Sequence, residues 1–118
     1  MKIKITEKQF REGCFFLAKL GVKIKGKCIA HHKKDSTDPS KNWLEYWQTK
    51  KSSKLESYIC PSCMKNSTDL VGGHIVTRFG TFIIPVCREC NSKYQGDNSD
   101  NHPFYVNREE MVRVQEDQ

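Results

Sequence analysis

The sequence predicts an α+β protein: a small treble-clef arrangement of metal knuckle, β-hairpin and helix, joined to a basic α/β front half. Two observations carry that prediction. Cys60-Pro61-Ser62-Cys63 and Cys87-Arg88-Glu89-Cys90 form two Cys-x-x-Cys pairs separated by 23 residues. Charge also breaks at the first pair. Residues 1–58 hold 14 Lys and Arg against 6 Asp and Glu, a net of +8, whereas residues 59–118 hold 6 against 8, a net of −2. The chain thus divides into a basic N-terminal region (1–58; strand, helix, strand, helix) and a zinc-binding region with C-terminal strands (59–118).

Composition narrows the classes. Counting the glycines, 50 of 118 residues are apolar, about 42%, a little under the roughly 45–50% of ordinary globular chains. Such a core is thin enough to need a supplement. The longest apolar run, Cys14 to Ala18, excludes a membrane-spanning helix, which needs about 20 residues. The start Met1-Lys2-Ile3-Lys4 carries no apolar signal segment, so a cytoplasmic location is expected. In a reducing compartment six cysteines read as metal ligands before disulfides.

The front half alternates between strand and helix signals. Lys2 to Thr6 suits a short strand, and Thr6-Glu7-Lys8-Gln9 forms a capping box. The helix it opens puts Phe10, Cys14, Leu17 and Ala18 on one stripe, and Gly21 stops it. Over 22–32 the chain alternates, with Lys23, Lys25 and Lys27 on one face and Val22, Ile24 and Cys28 on the other. Those lysines are a solvated strand face or a row of phosphate contacts. Cys28, His31 and His32 are half of a second metal site, or simply strand residues, since no unassigned pair remains to complete a site. After a polar loop, Asn42 to Lys51 reads as a helix with Trp43, Leu44 and Trp47 on its apolar face.

The back half holds the strong signal. Four thiolates match the tetrahedral, soft-ligand preference of Zn²⁺, and a two-residue spacer lets a tight turn aim two sulfurs at one ion. Cys60, Cys63, Cys87 and Cys90 are therefore the expected zinc ligands, and a site closed by four protein ligands is structural. Between the pairs, Gly72 to Thr77, the turn Arg78-Phe79-Gly80 and Thr81 to Val86 spell a β-hairpin. Asn91 to Gln95 then reads as a short helix. Knuckle, hairpin and helix in this order are those of a treble-clef finger; a zinc ribbon would continue into strand where Asn91-Ser92 opens a helix. Phe104-Tyr105-Val106 and Met111 to Val114 suit closing strands.

Over Cys60 to Gly96 the chain resembles the HNH, or His-Me finger, endonucleases that carry a structural zinc. The resemblance rests on Cys-x-x-Cys, on Gly73-His74-Ile75, and on Ile84-Pro85-Val86-Cys87-Arg88-Glu89-Cys90-Asn91. It implies a metal-dependent nuclease in which His74 is the general base that activates water. Asn91 would help hold a catalytic Mg²⁺ or Mn²⁺, and Arg78, Arg88 and Lys93 would clamp phosphate charge. A neutral imidazole suits proton abstraction and a hard oxygen suits Mg²⁺. Family members usually place Asp or His before the base, where this chain has Gly73. Only 12 residues separate His74 from Cys87, too few for the loop that carries the family's middle asparagine.

Two functions follow as expectations. The first is a zinc-stabilised nucleic-acid-binding protein, with endonuclease activity if the His74 and Asn91 pair is intact. The second is a catalytically inactive zinc module that binds a protein partner, as an inhibitor or adaptor encoded by a phage or mobile element.

Overall fold

The structure, a computed structural model, describes residues 26–33, 42–94, 96 and 102–114. The expected elements over 2–21, together with Lys23 and Lys25, lie outside the described residues. In chain order come β1 (Lys27–His32), α1 (Trp43–Lys51), β2 (Tyr58–Ile59), β3 (Asn66–Ser67), β4 (Leu70–Thr77) and β5 (Gly80–Cys87). There follow α2 (Arg88–Lys93), β6 (Phe104–Asn107), a 3-10 turn (Arg108–Glu110) and β7 (Val112–Arg113). No described helix is long and apolar enough to cross a membrane.

Local chemistry accounts for the elements nearest the cysteines. Asn42 caps α1, its side-chain oxygen accepting from the Glu45 amide at 3.0 Å, and Lys50 and Lys51 sit at the negative end. The hairpin closes on Arg78-Phe79. Thr77 Oγ1 accepts from the Phe79 amide at 3.0 Å, and Gly80 adopts φ 120°, a conformation that favours glycine. From there β4 and β5 pair without interruption from Thr77↔Gly80 to Leu70↔Cys87. The hairpin therefore delivers Cys87 directly to the cap of α2.

Five strands form an antiparallel sheet in the order β6-β1-β4-β5-β7, and β2 pairs with β3 separately. β1 comes from the basic region yet lies between β4 and β6. The boundary at residue 58 is thus one of charge, and the sheet crosses it. The sheet also curls. A flat sheet would hold β6 and β7 about 19 Å apart, four strand spacings. The linking 3-10 turn and Met111 span only about 13 Å.

Inside the curl sit Cys28, Ala30, Ile75, Phe82, Ile84, Val86, Phe104 and Val106, with Cys60 and Cys90 packed into the same core. The outer face carries α1. Trp47, 2% exposed, donates its indole N–H to the Glu110 carbonyl at 2.7 Å, and this ties α1 to the turn before β7.

Candidate metal centre and the surfaces around it

Two turns bring the four cysteines together. β2 and β3 bracket the first turn, in which the Met64 amide donates to the Cys60 carbonyl at 2.6 Å and the Cys60 amide to the Lys65 carbonyl at 3.0 Å. Met64 takes φ 61° to complete it. The second turn is the start of α2, where Cys87 Sγ caps the helix by accepting from the Cys90 amide at 3.4 Å. An Arg88 clamp joins the two halves. Its backbone N–H donates to the Asp69 carbonyl at 3.0 Å, and its Nε meets Asp69 Oδ1 at 3.0 Å.

The four Sγ atoms lie within 4.8 Å of one another, and those of Cys63 and Cys87 are 3.9 Å apart. A tetrahedron with metal–sulfur bonds of about 2.3 Å requires sulfurs about 3.8 Å apart. The donor set therefore fits a metal ion that prefers four soft ligands. Burial divides the set. Burial pushes the Cys60 thiol up to about 11 and raises Cys90 further still. At Cys63 burial acts in the same sense, but the Lys65 amide and the neighbouring sulfurs outweigh it and lower the value. Among the described residues this is the one grouping of three or more metal-ligating side chains.

Ser62 links the first turn to the sheet. It is buried; its Oγ lies 2.9 Å from His32 Nε2, and its carbonyl lies 2.9 Å from His102 Nε2. His102 stacks flat on Tyr94, the C-cap of α2, centroids 3.8 Å apart and planes at 3°. Burial, helped by His102 and His31, holds His32 down to about 4, so the ring is neutral. Cys28 and His32 face the inner core while His31 faces outward. These three therefore do not converge on a second metal.

His74 and Asn91 are not brought together. The His74 ring packs on Trp43 of α1, at the outer face. Asn91 approaches the next residue on the other side: a Cβ added at Gly73 would sit 3.4 Å from Asn91 Oδ1. Neighbouring strand residues point to opposite faces, so the sheet stands between the two side chains. The two side chains thus leave the sheet on opposite faces. A side chain at position 73 would also force Val86 to move, because its Cβ would lie 2.5 Å from Val86 Cγ2 in the core.

The expected phosphate contacts divide between two ends of the hairpin. Arg88 and Lys93 sit on α2 beside the cysteines, with Arg88 paired to Asp69. Arg78 lies at the hairpin turn, about 25 Å away along eight strand residues. Lys27 is at the same end as Arg78, since Ala30 pairs with Thr77.

The sequence reading missed two groups. One is the contact of Ser62 with His32 and His102, separated by 30 and 40 residues. The other surrounds Phe79: Arg108 lies 4.3 Å and Arg78 5.2 Å from its ring centre, and Arg113 Nη2 donates to its carbonyl at 3.1 Å. A basic residue beside an exposed turn aromatic was visible as Arg78-Phe79, but nothing local brings in Arg108 and Arg113. Protein-family models, curated proteins and solved structures give no match to the chain.

Proposed function

We propose that Cys60, Cys63, Cys87 and Cys90 hold one structural zinc ion in a treble-clef arrangement, and that the chain is a zinc-stabilised module that binds nucleic acid without cutting it. Four thiolates leave zinc no open position for water or substrate. The separation of His74 from Asn91 removes the pair on which HNH-like cleavage would depend. What remains is a basic surface.

The observation that carries the binding reading is the convergence of Arg78, Arg108 and Arg113 at one end of the sheet. Among the described residues no carboxylate pairs with any of the three. Guanidiniums attract phosphates and release their counterions. The +8 balance of residues 1–58 adds to the same attraction.

The test is a salt titration of binding, followed by fluorescence anisotropy of a labelled oligonucleotide, with plasmid incubated alongside in Mg²⁺ or Mn²⁺. Neutralising three phosphates should give a log–log slope of about −2 on a single strand and about −3 on a duplex, with the plasmid left intact. Nicking that His74→Ala abolishes would restore the endonuclease reading.

A second reading, a protein-binding inhibitor or adaptor, draws on Ile29 and Val76. They are 50% and 42% exposed, and they are diagonal neighbours on the outer face of β1 and β4. A partner retained at high salt after nuclease treatment would favour it.

A further inference from the structure

The Phe79 ring sits at the apex of a two-residue turn and is 37% exposed. An apolar ring in that position gains little from the core, yet three chain segments hold it. Thr77 Oγ1 fixes its amide and Arg113 Nη2 its carbonyl, at 3.0 and 3.1 Å. Arg108, on the turn after β6, places its guanidinium 4.3 Å from the ring centre, and Arg78 lies at 5.2 Å. Arg113 itself lies over Phe82 at 4.7 Å, so packing on that ring holds its guanidinium in place.

We infer that this turn is a stacking site for single-stranded nucleic acid, in which Phe79 takes one base and Arg78, Arg108 and Arg113 take the flanking phosphates. The inference rests on the nucleic-acid reading above and names the form of nucleic acid that this surface takes. A guanidinium over a ring keeps its N–H edges free for phosphate oxygens while its plane extends the aromatic surface. Every base has a π-face, so such a platform is tolerant of sequence. It needs an unpaired base, since bases inside a duplex already stack on one another. A duplex can use only the three charges. A single strand uses the charges and the ring together.

The experiment uses the full chain loaded with zinc, a labelled 12-mer of oligo-dT, and a labelled 12-base-pair duplex at one fixed salt concentration. The wild type should bind the single strand about tenfold more tightly than the duplex. Phe79→Ala should weaken single-strand binding about tenfold, the range of one lost base stack, and leave duplex binding within about twofold. Phe79→Tyr keeps the ring and should restore the wild-type affinity, while Arg108→Gln should weaken both ligands. Thermal melts of each variant establish that it is folded. Equal binding of both ligands that Phe79→Ala leaves unchanged would overturn the stacking site and leave the nucleic-acid reading standing. Equal losses on both ligands in Phe79→Ala would also overturn it, by assigning the ring a supporting role. Failure of the zinc-loaded wild type to bind either ligand would end both readings.

Discussion

The His74 ring meets the Trp43 indole edge to face, with centroids 4.5 Å apart and planes at 86°. That contact seats the histidine under α1, on the side of the sheet away from Asn91. His74 is 7% exposed, and its Nδ1 is buried with no hydrogen-bond partner among the described residues. A general base must reach substrate and exchange protons with it. In this structure the ring is enclosed.

The same burial makes His74 a source of acid sensitivity. Burial lowers it from 6.5 to about 4, with Lys33 acting in the same sense. Below pH 6.5 the unfolded chain takes up a proton that the folded chain refuses until about pH 4, so stability is lost as pH falls through that window. His74 should account for about 2 kcal/mol of the loss between pH 7 and 5. Urea unfolding of His74→Phe, which keeps a ring against Trp43, should show a correspondingly shallower pH dependence. Identical slopes for the two proteins would refute the assignment.

Gly72 marks where α1 crosses the hairpin. A Cβ there would lie 2.3 Å from the Trp43 carbonyl carbon and 2.4 Å from the Leu44 amide nitrogen. Both are backbone atoms, so the helix itself would have to move. Gly72→Ala should therefore cost about 3 kcal/mol or more by overpacking. Gly26→Ala serves as the comparison: its φ is 77° but no atom of the described residues lies within 4 Å of the added carbon, so about 1 kcal/mol is expected from backbone strain alone. Equal thermal shifts for the two variants would contradict this packing.

Ser62 holds the first metal turn against the sheet. Ser62→Ala would strip His32 Nε2 of its partner, while Nδ1 already has none among the described residues. A buried polar group left unpaired costs about 1–3 kcal/mol. Chemical denaturation of the zinc-loaded variant should register a loss in that range. An unchanged midpoint would show that the contact contributes nothing.

Removing the metal should have the largest effect of all. Structural zinc supplies ~10–16 kcal/mol of binding free energy, comparable with the ~5–15 kcal/mol total stability of a domain. Cys60 and Cys90 lie in the main core, so their release opens it. A strong chelator should abolish the cooperative thermal transition, and added zinc should restore it. A chelated chain that melts as before would count against a structural ion.

What could be read from the sequence was local. The cysteine pairs, the helix from Asn42 to Lys51 and the turn at Gly80 each depend on residues within a few positions of one another. The placement of β1 between β4 and β6 depends on strand register over more than 40 residues, which no local pattern records. The face taken by His74 was hidden for a similar reason. Gly72 makes room for α1 and Gly73 for Val86, neighbours that come from other segments. Ser62 looked like a spacer between ligands until His32 and His102 arrived from distant segments. Arg113 reaches Phe79 because β7 pairs with β5, and Arg108 because the turn after β6 lies at the same end of the sheet.

Zinc-edge X-ray absorption on the purified chain would read the metal and its ligands together. About one zinc per chain is expected, bound by four sulfurs at about 2.3 Å, with no nitrogen in the shell. Histidine nitrogen among the ligands, or folded protein without stoichiometric zinc, would contradict a structural zinc held by the four cysteines.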